Sequence, residues 1–83
     1  MKIKLKVKKF TEQTVNIESD YIKLDALLKF AAVVQTGGEA KMLINDGFVH
    51  VNGEICLQRG KKLYPGDRVT LDGLRLTVVK DEN

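Results

Sequence analysis

Arg59, Lys61 and Lys62 stand together around Gly60, with no acidic residue before Asp67. Cations grouped in this way neutralise phosphates and release counterions, chemistry that makes and breaks no covalent bond. Gly60 lets such a loop turn close to a curved backbone. A solvated loop is the plain alternative for an isolated charge run. A second candidate is Thr36-Gly37-Gly38-Glu39-Ala40-Lys41. If a helix starts there, its first amides are unpaired and its dipole is positive, so Gly37 and Gly38 would admit an anion and Lys41 would add a full charge one turn on. Glu39 competes, because Thr36 and Glu39 have the spacing of a capping box that uses the same amides. Thr36 is therefore a cap, a contact or both. His50 lacks a recognisable nucleophile or metal partner for base catalysis. Cys56 is the only cysteine, which rules out an internal disulfide and a thiolate metal cage. No catalytic residue, metal or cofactor is expected.

These residues need elements to hold them. Ile3, Leu5 and Val7 alternate with Lys4, Lys6 and Lys8, the period of a strand with one buried face. Its lysines either add nonspecific affinity or protect a sheet edge. A polar turn is expected at Thr11 to Gln13, then a weaker strand with Val15 and Ile17 that pairs back. Leu24, Leu27, Leu28, Ala31 and Val34 recur at helical spacing, predicting a first helix over 24–34 with Asp25 in its first turn. A second helix is expected from the Thr36 cap, with Ala40, Leu43 and Ile44 buried and Gly47 as its left-handed terminator. Asn52-Gly53 predicts a tight hairpin between Phe48–Val51 and Glu54–Leu57, with Val49 and Val51 inward. Phe48 and His50 then share the outward face, as a platform for an unpaired base or as cross-strand packing partners. Asn52 reads first as turn chemistry, with a side chain able to reach a ligand. Pro65-Gly66 suits a type II turn, Tyr64 before it reads as packing, and Asp72-Gly73 joins a second hairpin.

With 83 residues, 43% of them hydrophobic and 30% charged, the chain is expected to form one folded domain rather than a disordered tail. No apolar run approaches the length of a membrane span, and Met1 to Lys9 lacks a signal-peptide core, so a cytoplasmic, non-membrane protein is expected. The net charge of +3 is modest, so placement matters more than total. The basic clusters are Lys2 to Lys9 and Arg59 to Lys62.

Lys23-Leu24-Asp25, Thr36 to Lys41, and Gly47-Phe48-Val49-His50-Val51-Asn52-Gly53 together resemble the S4 RNA-binding domain in order and spacing. The resemblance covers about residues 21–80, and Thr36 to Lys41 with Arg59 to Asp67 look most like a small, free-standing bacterial S4 subfamily. It implies an α+β, alpha-L fold: two short helices on a small twisted, mainly antiparallel sheet, here with an extra N-terminal strand. The divisions expected are an extension at 1–20, the S4-like domain at 21–80 and a tail at 81–83. It also implies an RNA-facing surface made by the helix pair and the following hairpin. Carried onto this chain, the RNA-binding candidates are Lys23, Thr36, Gly37, Gly38, Lys41, Asn52, Arg59, Lys61 and Lys62. Many S4 domains have arginine and serine where this chain has Gly37 and Gly38. Lys23 stands where arginine is common, keeping the charge without the planar fork.

The expected function is non-catalytic docking on structured RNA, ribosomal or transfer RNA, in ribosome assembly or translation, by a monomer. The alternative is an adaptor whose basic loop meets an acidic protein. A ubiquitin-like sulfur carrier is disfavoured by the ending Lys80-Asp81-Glu82-Asn83, which lacks a Gly-Gly tail. An S4-bearing RNA-modifying enzyme is disfavoured because no catalytic part is recognisable.

Overall fold

A computed structural model describes residues 11–81. The expected lysine strand at 3–9 lies outside the described residues. The elements are β1 (Thr11–Ile17), β2 (Ile22–Lys23), α1 (Leu24–Phe30), α2 (Gly37–Asn45), β3 (His50–Val51), β4 (Glu54–Ile55), β5 (Lys62–Leu63), β6 (Arg68–Leu71) and β7 (Leu74–Lys80). The main sheet has the order β1-β7-β6-β3-β4, and β2 pairs with β5 in a separate two-stranded ladder. All pairings are antiparallel except β1 with β7. The fold is therefore α+β with a mainly antiparallel sheet, the S4-like class that the sequence predicts.

One continuous core joins sheet and helices. Its buried residues are all aliphatic, with Leu24, Leu27 and Leu28 from α1, Ala40 and Ile44 from α2, Val49 from just before β3, and Val69, Leu76 and Val78 from the sheet. Val15 and Ile17 of β1 belong to this core as well. Thr11 to Gln13, expected to turn, instead extend β1 in register with Leu74, Arg75 and Leu76. The described partner of Val15 and Ile17 is thus the last strand. Their alternation locates a buried face but carries no information about which strand lies alongside.

Helix α1 is shorter than its apolar periodicity predicts, ending at Phe30 rather than Val34. Ala32 takes the left-handed conformation with φ 60°. Its amide donates to the Lys29 carbonyl at 3.0 Å, and the Val33 amide donates to the Leu28 carbonyl at 2.9 Å. That pair of bonds is a Schellman ending, and Val34 reaches the core from beyond it. Helix α2 closes in the same way, with Gly47 at φ 82° and the Gly47 and Phe48 amides donating to Ile44 and Leu43. Glycine announced the second stop in the sequence, whereas Ala32 gave no signal of the first.

Both tight hairpins form as their residues require. Asn52 and Gly53 have φ 52° and 90°, and Asp72 and Gly73 have φ 43° and 80°, the double positive φ of a type I′ turn. The strands of the first hairpin are shorter than predicted, two residues each. Pro65-Gly66 makes the expected type II turn, with Gly66 at φ 100° and the Asp67 amide donating to the Tyr64 carbonyl at 2.9 Å.

Candidate nucleic-acid interface

The start of α1 has no side-chain cap on its N-cap residue, Lys23. Its exposed amides are satisfied by the basic loop instead. The Leu24 amide donates to the Lys61 carbonyl at 2.9 Å, and the Asp25 amide donates to the Arg59 carbonyl at 3.0 Å. Immediately beside these bonds, β2 pairs with β5, so that Ile22 faces Leu63 and Lys23 faces Lys62. Leu63 is fully buried and anchors the segment to the core. The backbone of one short stretch thereby serves as helix cap and strand partner, and Lys23, Arg59, Lys61 and Lys62 are brought together at the surface. All four are exposed.

Like charges opposite one another in a ladder are mutually unfavourable. Neither of the two ion pairs found among the described residues, Arg75 with Glu12 at 3.0 Å and Lys80 with Asp20 at 3.6 Å, uses any of these four cations. Lys62 instead lies over the Tyr21 ring, its Nζ 4.8 Å from the centroid. Tyr21 in turn meets Tyr64 with ring centroids 5.9 Å apart and planes tilted by 56°. Apart from that contact, Tyr64 remains about half exposed.

The α2 candidates form a group of their own on the neighbouring helix. Thr36 Oγ1 accepts from the Glu39 amide at 3.1 Å, while Glu39 Oε1 accepts from the Gln35 and Thr36 amides at 2.8 and 3.3 Å. The capping box is therefore complete, and Thr36 is a cap. Glu39 faces back toward the chain before the helix. A Cβ added at Gly37 would meet nothing within 4 Å, and one at Gly38 only Thr36 Oγ1 at 3.8 Å. Neither glycine is required by packing or by a positive φ. Both leave open space beside the first turn, and Lys41 is exposed one turn further on.

Asn52 is held in the fold. Its Oδ1 accepts from the Arg68 amide at 2.9 Å, and its Nδ2 donates to Asp67 Oδ1 at 3.1 Å. The other carboxylate oxygen of Asp67 accepts from the Tyr64 amide at 2.8 Å. Asn52 and Asp67 thus tie the first hairpin turn to the Pro65-Gly66 turn that ends the basic segment. Asp67 had been legible only as the acid closing a basic run.

On the outer sheet face, His50, Thr70 and Arg75 lie in one cross-strand row, and Phe48 shares their groove. Phe48 is exposed and His50 half-buried, while Val49 and Val51 point into the core as predicted. Cys56 is half-buried against the core just beyond β4. Among the described residues no group of three His, Cys, Asp or Glu side chains could hold a metal, and no helix is long and apolar enough to cross a membrane.

The chain thus carries a helix pair, a hairpin and a basic loop in this order. The S4 domain family model matches residues 15–79, and the chain belongs to that family. The chain is also similar to "Probable ribosome maturation protein RlbA" of Bacillus subtilis (strain 168), 42% identical over 59 residues that span 71% of this chain and 83% of the relative.

Proposed function

We propose that this S4 domain binds structured RNA in the cytoplasm, without catalysis, and acts in ribosome assembly. The observation that carries the proposal is the convergence of Lys23, Arg59, Lys61 and Lys62 on one helix start, through backbone bonds that hold like charges together. Such an arrangement is unfavourable by itself and is relieved by a polyanion. The first turn of α2, with Gly37, Gly38 and Lys41, supplies a second backbone-contact point, where Gly37 and Gly38 leave space for a phosphate. Asn52 contributes by fixing the turns rather than by reaching the ligand. A-form RNA hides its base edges in a deep groove, so a patch of cations and amides reads backbone shape before sequence. The name of the B. subtilis relative supports a ribosomal RNA target, with transfer RNA as the other structured RNA class to assay. The protein works as a monomer in this reading.

The test is a titration with a ribosomal RNA stem-loop over a range of salt. If Lys23, Lys41, Arg59, Lys61 and Lys62 each neutralise one phosphate, log affinity falls with log salt at a slope of about −4. The Lys61→Glu, Lys62→Glu double variant flattens that slope. Equal affinity and slope in the folded variant would place the interface elsewhere, and equal binding to heparin or an acidic protein would favour the adaptor reading.

A further inference from the structure

All the described phenylalanines and tyrosines, Tyr21, Phe30, Phe48 and Tyr64, lie at the surface, while the core is wholly aliphatic. Two of the four are in contact with each other, and that pair adjoins the basic patch. Tyr21 is 36% exposed and Tyr64 48% exposed. Tyr21 stands two residues before Lys23, and Tyr64 stands two after Lys62, so the β2–β5 ladder that aligns the lysines also aligns the rings. Both backbones are fixed. The Tyr64 amide donates to Asp67 Oδ2 at 2.8 Å, its carbonyl accepts from the Asp67 amide at 2.9 Å, and the Tyr21 carbonyl accepts from Ser19 Oγ at 2.8 Å.

Packing alone does not account for the pair, since neither ring is buried. Aromatic faces beside a track of cations suit a nucleotide whose base is out of a helix: the base stacks while its flanking phosphates meet ammonium groups. Lys62 over Tyr21 already places a charge within the aromatic cluster. We infer that Tyr64, backed by Tyr21, stacks an unpaired base, so that the patch prefers RNA in which a helix is interrupted by a bulged or looped-out nucleotide. This inference rests on the RNA-binding reading above and narrows its substrate class.

The experiment uses two synthetic RNA stems, identical except for one bulged adenosine. The expected result is about tenfold tighter binding of the bulged stem, near the lower end of what a stacked base contributes. Tyr64→Leu removes that preference, and Tyr64→Phe keeps it. The chain has two tyrosines and no tryptophan, so protein carrying 3-fluorotyrosine gives two fluorine resonances, both from this cluster. The bulged stem should shift the Tyr64 resonance more than the paired stem does. Equal binding of the two stems by the unmodified protein, or a bulge preference that survives Tyr64→Leu, would overturn the stacking inference and leave the cationic patch standing. Paired-stem binding untouched by Arg59→Glu and Lys61→Glu would instead overturn the patch reading, and the stacking inference with it.

Discussion

Lys23 and Lys62 sit directly opposite each other in the two-residue β2–β5 ladder. Two lysines in facing ladder positions oppose folding, and the ladder persists because Leu63 is buried and the α1 amides hold the loop carbonyls. The first prediction follows from that conflict. Lys23→Glu replaces repulsion with a cross-strand ion pair and should stabilise the fold by about 0.5 kcal/mol, a rise of a few degrees in melting temperature. The same change should weaken RNA binding and flatten the salt dependence. A variant that melts lower and binds as before would show that Lys62 is not its neighbour in solution.

Helix α1 ends on Ala32 at φ 60°, a conformation that costs an L residue about 1–2 kcal/mol. Ala32 is exposed, so its side chain contributes no packing that glycine would lose. Ala32→Gly should therefore raise stability by up to about 1 kcal/mol in urea unfolding, the gain being trimmed by the greater freedom of glycine in the unfolded chain. RNA affinity should not change.

Gly37 and Gly38 have open space around them and ordinary helical backbone. Alanine at either position should stabilise α2 by up to about 1 kcal/mol, since glycine is a poor helix former. If a phosphate approaches the first-turn amides, the same substitutions should reduce RNA affinity. Stability and affinity moving in opposite directions would identify a contact, while unchanged affinity would remove α2 from the interface. Thr36→Ala, by contrast, should cost about 1 kcal/mol through loss of the cap.

The Asn52–Asp67 tie can be dissected by two substitutions. Asn52→Gly keeps the positive φ of the turn but removes two side-chain bonds, at roughly 1 kcal/mol each. Asn52→Ala loses the same bonds and adds left-handed strain, so it should be the less stable of the two by about 1 kcal/mol. Chemical denaturation of the pair checks this. Equal stability would mean that the turn relaxes.

Local signals were legible where a residue type has a special conformational role. Thr36 with Glu39, Gly47, Asn52-Gly53, Pro65-Gly66 and Asp72-Gly73 each marked a cap or turn that the structure contains. The end of α1 was hidden because Ala32 adopts a glycine-like conformation, and apolar periodicity ran on through Ala31 to Val34. The partner of β1 was hidden for a different reason: Glu12 and Arg75, which form an ion pair across it, are 63 residues apart in the chain. In the candidate site the cations were legible as a run, and Lys23 came from the family resemblance. What joined them was not legible, since capping by the Lys61 and Arg59 carbonyls leaves no side-chain signature. Tyr21 gave only the weak cue of lying two residues ahead of Lys23.

The sheet order gives the chain a timetable as well as a shape. β7, the last strand to be synthesised, lies between β1 and β6 in the finished sheet. During translation β1 therefore waits for this partner until Leu74–Lys80 is made, and the β1–β7 pairing closes late. A ribosome stalled before Leu74 would carry a nascent chain in which the basic loop is already synthesised and Val15 and Ile17 still lack their β7 partners.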